Sequence, residues 1–399
     1  MKKHASFLRL LAFEWRKNFL SPWLLIFTVI LLLLNGWKLT EEYSKKTAEF
    51  AAIDHVYEEF YTQWSGTITP EKIESLMAVY GPLEDFGSLS FVPGSGTYAD
   101  TEAGDHRFIF SNFYNEMKYD YLYVNQSIEL AQKAQDLAAF YESIGSAYKT
   151  AESEAYAKTF QGRSISQFAD TRYLEVWLNH DYSSMLVLLL SLFGLCTVFV
   201  TERETEMYML QRTAKLGGGS TVAAKLIASA CFILMICLIF YGQDFLVLQL
   251  LSGHWEALSS PVYAIRYLEM TPLRLTIGQF VLWVMGFKTL GILGCGGLIL
   301  LASCVFKRVL TAFAAGFGGI MALVVLQEFC RTRTGLKWFN PMELVMVREI
   351  VTDTVFVNVF GFPIHLYCFV MAGICLTTAV MVLGILRLNP GRMERRCGR

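Results

Sequence analysis

Six stretches of this chain are apolar for long enough to cross a lipid bilayer, which constrains its fold more than any motif does. A spanning helix needs about 20 mostly apolar residues, because backbone polar groups in hydrocarbon must be satisfied within the segment itself. The stretches are Pro22 to Trp37, Tyr182 to Val200, Thr221 to Leu251, Gly278 to Val305, Val309 to Gln327 and Phe362 to Leu386. Composition points the same way: 54% hydrophobic and 17% charged residues over 399 positions exclude an ordinary soluble enzyme. The expected fold is an all-α polytopic membrane protein with six transmembrane helices. The first apolar run has about twenty residues before it and no small-x-small cleavage site close after "LLLLNGW", so it reads as a retained span rather than a signal peptide.

Charge sets the expected orientation. Lys2, Lys3, Arg9, Arg16 and Lys17 precede the first span, and Arg387, Arg392, Arg395, Arg396 and Arg399 follow the last. By the positive-inside rule both termini are then cytoplasmic, which an even number of spans permits. Lys307 and Arg308 fall inside under this scheme, whereas Arg331, Arg333 and Lys337 fall outside and run against it. Between Lys38 and His180 lie 22 acidic and 11 basic side chains, net −11; the other 13 acidic and 23 basic give +10, matching the overall −1. None of the nine cysteines lies in that acidic segment. A large external segment without disulfides suits a bacterial plasma membrane, and no Cys/His spacing suggests a metal site.

The expected organisation follows. Residues 1–21 carry Phe7, Leu8, Leu11, Trp15 and Phe19 on one helical stripe, with Arg9 and Arg16 on the other side. This reads either as an amphipathic helix in the inner interface or as a plain extension of the first span; Ser21-Pro22 favours a bend. After the span at 22–37, residues 38–181 form an extracellular, mostly helical domain, since both ends are rich in helix formers while "YGPLEDFGSLSFVPGSGTYADTEAGDHRF" is broken by Gly and Pro. Its outermost helices are expected to continue the first and second spans outward. His55 and His106 stand alone among acids and read as solvated or structural. The second span covers 182–200, and residues 221–386 hold spans three to six, with external loops at 252–277 and 328–361. In the latter loop "WFNPMELVMVREI" reads as a helix capped by Asn340, lying on the outer surface or dipping into the membrane. A basic cytoplasmic tail occupies 387–399.

The cytoplasmic stretch at 201–220 opens "TERETEMYMLQRTAKLGGGS". It is not a phosphate loop, because Lys215 precedes the glycines and a Walker lysine must follow them. Met207, Leu210 and Ala214 repeat at helical spacing, with Glu204 and Arg212 on another face, so an amphipathic helix over about Glu202 to Leu216 is expected. Gly217 closes it, Gly218 and Gly219 allow a reversal as a hinge, and Ser220 caps the next span.

"TERETE" directly after an apolar span, a helix, a glycine turn and "AAKLIAS" opening the next span together resemble permeases of the type-two ATP-binding cassette (ABC) exporter superfamily. The amphipathic "elbow" before span one, the large insert before span two, and "FNP" then "NVFGFPI" before the last span are similar in order. The resemblance implies a half-transporter whose helix at Glu202 to Leu216 is a coupling helix docking into a separate ATPase subunit. Glu202, Arg203, Glu204, Glu206, Leu210, Arg212 and Lys215 are then the coupling residues. It also implies a second permease copy or homologue, ATP and Mg bound by the partner subunit with no cofactor on this chain, membrane lipid around it, and peptides, antimicrobial peptides or lipids as cargo. No catalytic residue and no nucleic-acid partner are expected.

Asp244 and Lys288 are ionisable residues inside apolar runs at matching depth. Such groups are costly in a membrane, so the pair reads either as an interhelical ion pair or as two side chains that snorkel separately. Small residues in "GILGCGGLILLAS" and "AAGFGG" allow spans to approach closely. The rival function is a peptide-sensing or immunity protein that binds an extracellular ligand without transporting it.

Overall fold

A computed structural model describes residues 2–48, 61–80, 115–207, 218–330 and 339–388. The protein is an all-α polytopic membrane protein: six of its helical segments are long and apolar enough to span a bilayer. α1 (Lys2–Phe19) is separated from α2 (Pro22–Ala48) by a break at Leu20-Ser21. There the Ser21 hydroxyl accepts from the Leu24 amide at 3.3 Å and Pro22 starts α2, a position where its missing N–H costs nothing. α1 is therefore a helix of its own. Leu11, Trp15 and Phe19 turn toward the core while Arg9 and Arg16 stay exposed, and the Phe19 ring stacks on Phe232 at 4.4 Å.

The second span, expected at Tyr182 to Val200, is longer and broken twice. It comprises α6 (Arg172–Asn179), α7 (Tyr182–Leu195) and α8 (Thr197–Glu204). α9 (Gly219–Ser252), α10 (Ile277–Val305), α11 (Val309–Cys330) and α14 (Leu366–Leu388) complete the set. Burial ranks the spans: 72% of the apolar window of span two and 61% of that of span four are buried, against 17%, 17% and 22% for spans one, five and six. The second and fourth spans therefore form the centre of the bundle. α10 is started by a capping box in which Thr276 and Gln279 satisfy each other's backbone amides.

Between α2 and α6 lies the insert, helical as expected where it is described: α3 (Pro70–Tyr80), α4 (Asn115–Ser143) and α5 (Ala147–Phe160), with short strands β1 (Gly66–Thr67) and β2 (Gln167–Phe168) pairing antiparallel. α2 continues past its apolar run to Ala48, whereas the return path is interrupted at His180-Asp181. The Gly/Pro-rich middle, with His106, and His55 lie outside the described residues. Two arginines that meet backbone carbonyls help to hold the insert, beside the Tyr119 and Tyr123 hydroxyls, which donate to Tyr263 O and Glu269 O. Arg163, 1% exposed, donates to Thr159 O at 2.9 Å and Thr271 O at 2.8 Å. Arg274, on the loop between α9 and α10, donates to Lys158 O at 2.7 Å and Gln161 O at 2.6 Å. Both caps use the carbonyls that the end of α5 leaves without helical partners.

The segment before the last span departs from expectation in being broken. Instead of one helix, "PMELVMVREI" gives α12 (Met342–Val345) and α13 (Arg348–Val351), broken at Met346. Asn340 does hold its start, accepting from the Met342 amide at 3.1 Å. Of the two placements expected, α12 takes the second: it dips into the bundle, to half the height of α10. A Cβ on Gly291, the middle residue of α10, would sit 2.8 Å from Pro341 O, and Cys295 Sγ is 3.9 Å from Met342 Sδ. Met342, Leu344 and Val345 are accordingly buried. A hairpin of β3 (Phe356–Val359) and β4 (Phe362–His365) then leads into α14. Arg331, Arg333 and Lys337 lie outside the described residues.

Candidate functional site

Two polar assemblies sit at opposite ends of the span bundle. At the end that carries α1, the helix break between α7 and α8 leaves backbone groups without helical partners, and Ser303 of α10 takes them up. Its hydroxyl donates to Cys196 O at 2.8 Å and accepts from the amides of Phe199 at 3.0 Å and Val200 at 3.3 Å. α8 is thereby turned so that Glu202, one turn after Val198, faces inward and is 7% exposed. Its carboxylate meets Lys17 of α1 at 2.5 Å and Lys225 of α9 through its other oxygen. Lys225, 1% exposed, also donates to Val198 O at 3.0 Å and lies 5.0 Å over the Phe199 ring. Buried Glu14 also faces this cluster, and its side chain accepts from Asn18 at 3.2 Å. One glutamate therefore joins the elbow helix, the end of span two and the start of span three.

Just after Glu202 the described backbone departs from the single helix expected there. The helix expected over Glu202 to Leu216 is interrupted near its start: α8 ends at Glu204, Met207 is helical again, and between them Glu206 takes a left-handed φ of 54°. That conformation is uncommon for a residue with a Cβ and interrupts helical hydrogen bonding. Arg203 is partly exposed and Glu204 and Glu206 are exposed; Glu204 accepts from the Val309 amide at 3.4 Å, where the open N-terminus of α11 favours an anion. Leu210, Arg212, Lys215 and Gly217 lie outside the described residues. Gly218, not Ser220, precedes the next helix, with φ 85° and ψ −128°, a backbone that strongly favours glycine, and Gly219 is the first residue of α9.

At the other end, Asp244 and Lys288 are both buried, 4% and 5% exposed, but bind different partners. Lys288 Nζ lies 3.2 Å from Asp181 Oδ1, at the α6–α7 break, and Asp244 Oδ1 accepts from Asn35 Nδ2 at 2.5 Å. Neither snorkels to the surface. Asn35, 0% exposed, is the hub: its Nδ2 also approaches Gln243 Oε1 at 3.3 Å, and its Oδ1 faces His180 Nε2 at 3.2 Å. His180 Nδ1 in turn meets Glu42 Oε2 at 2.7 Å. Neither Asn35 nor His180 stands out in the sequence as a polar hub. The available signals were a lone asparagine inside "LLLLNGW" and a histidine at the edge of an apolar run.

Outside the spans, an acidic face of α4 packs against the loop before α6. Burial, then the Asp170 carboxylate, push the Glu116 carboxyl up to about 8, and burial beside Glu116 holds Asp120 well above the usual range. Among the described residues, no three His, Cys, Asp or Glu side chains assemble into a group that could hold a metal ion. The chain matches no protein-family model and no curated protein.

Proposed function

We propose that this chain is the permease subunit of a bacterial ABC-type exporter in the plasma membrane, with both termini cytoplasmic and the insert extracellular. The observation that carries this reading is the junction at Glu202, where Lys17, Glu202 and Lys225 bind the elbow helix and the adjoining ends of spans two and three into one unit. A displacement applied to the exposed residues just after Glu204 is then delivered to the elbow helix and to spans two and three together. Separate ATPase subunits bind ATP and Mg and press on that stretch, and a second permease copy completes the pathway. Coupling of this kind is a free-energy link between distant sites. Glu202 works inside the permease, while Arg203, Glu204, Glu206, Leu210, Arg212 and Lys215 supply the docking surface. Cargo is a peptide, an antimicrobial peptide or a lipid-like molecule.

The test is purification of the complex from its native membrane. An ATPase subunit is expected to co-purify, and Glu204→Lys with Glu206→Lys to release it while the permease stays folded. A native complex that contains no nucleotide-binding subunit, together with unchanged activity in that double variant, would replace the exporter by the peptide-sensing alternative.

A further inference from the structure

The hydrogen-bonded chain at the insert end holds more contacts than its neutral groups have protons to fill. Three contacts run in series: Glu42 Oε2 to His180 Nδ1 at 2.7 Å, His180 Nε2 to Asn35 Oδ1 at 3.2 Å, and Asn35 Nδ2 to Asp244 Oδ1 at 2.5 Å. Each requires one hydrogen. A neutral imidazole supplies one, the asparagine amide supplies a hydrogen on one of its two sides, and ionised carboxylates supply none. One hydrogen is missing, whichever way the amide is turned.

The orientation of Asn35 decides where the missing proton belongs. Gln243 Nε2 donates to Leu32 O at 2.9 Å, an approach that Gly36 permits, since a Cβ there would meet Nε2 at 3.0 Å. That fixes Gln243 Oε1 toward Asn35, 3.3 Å from Nδ2. A reversed Asn35 would set its oxygen against the oxygens of both Gln243 and Asp244. With the amide as found, Oδ1 faces His180, so Nε2 must donate and Nδ1 is left against a carboxylate.

We infer that the His180–Glu42 pair binds one proton beyond those of a neutral imidazole and an ionised carboxylate, and that this proton holds spans one, two and three together. It enters from water on the insert side through Glu42, whose side chain is 34% exposed while that of His180 is 0% exposed. No bond other than this N–H or O–H forms. Among the described residues, the charged and titratable groups around the pair are Lys38 on α2, Asp181 and Tyr182 beside His180 itself, Asp244 on α9 and Lys288 on α10. The inference does not rest on the exporter reading, because it concerns only proton count within this chain.

The experiment is ring-nitrogen NMR of the full chain in lipid nanodiscs with labelled histidine, with H180Q to assign one signal among the six histidines. His180 is expected to carry hydrogens on both ring nitrogens in the folded chain. E42Q is expected to remove one of them, leaving Nε2–H, because the glutamine amide can donate to Nδ1. A single ring hydrogen in the wild type, accompanied by a protonated-carboxyl infrared band lost in E42Q, places the same proton on Glu42 and also supports the inference. A single ring hydrogen with no such band overturns it, as does a band lost in D244N but not in E42Q. If H180Q does not fold, the shift caused by E42Q provides the assignment.

Discussion

Glu202 carries the same sequence signature as Glu204 and Glu206, yet only Glu202 is buried, and the difference comes from which way α8 faces after the break at Cys196. Removing one partner of a buried ion pair leaves an uncompensated charge, typically a loss of about 3–5 kcal/mol, while replacing both partners by apolar groups is often near neutral. Glu202→Gln is therefore expected to lower unfolding stability by about 3 kcal/mol, and Glu202→Gln with Lys225→Met to recover most of it. Denaturant titration in micelles measures both, and additive losses in the double variant would contradict the coupling. Glu116 offers a second residue-level test. Its folded carboxyl sits at about 8 against about 4.3 in an unfolded chain, so the folded state holds the extra proton between those values. Stability contributed here is full below about pH 4, falls as pH rises through that window and is level above about 8. Glu116→Gln is expected to flatten this slope and to stabilise the insert by on the order of 1–2 kcal/mol at high pH, read from melting temperature against pH.

Among the elements, the six spans were legible because the requirement they meet is local: a run of apolar residues long enough to satisfy its own backbone. α1 was legible for a similar reason, since its two faces repeat at helical spacing. The breaks were not. The bend at Cys196 is held by Ser303, more than a hundred residues away in sequence, and nothing within "LFGLCTVFV" announces it. The small residues of α10 signalled close approach, but their partner proved to be α12 as well as other spans: a Cβ on Gly291 would meet Pro341 O at 2.8 Å and Val345 N at 3.0 Å. Gly291→Ala is expected to cost about 1–3 kcal/mol by forcing backbone apart, whereas Gly286→Ala, with nothing within 4 Å, is expected to be close to neutral or slightly stabilising. Thermal unfolding compares the two. For the insert, Arg163→Ala removes a buried cation that three partners hold: the Thr159 and Thr271 carbonyls at 2.9 and 2.8 Å and the Tyr123 hydroxyl at 3.4 Å. The insert is then expected to loosen from the α9–α10 loop, seen as faster limited proteolysis after Phe160 with the spans still intact.

Across the whole molecule, the insert and the Glu202 junction occupy opposite ends of the span bundle, so one cysteine placed in each must label from opposite sides. Lys149→Cys is expected to react with an impermeant maleimide on intact cells, and Glu206→Cys only after permeabilisation; the same behaviour at both sites would break the topology. The number of spans, the acidic insert and the separate amphipathic helix at the N-terminus belong to the sequence alone, because each follows from hydrophobicity and charge counted over a short window. Which polar group meets which does not. Asp244 goes to Asn35 and not to Lys288, Glu202 turns to two lysines and not to solvent, and α12 enters the bundle. Each of these is settled where segments distant in the chain pack together. In an environment with little water, a buried polar group bonds to whatever donor or acceptor the packing brings within about 3 Å.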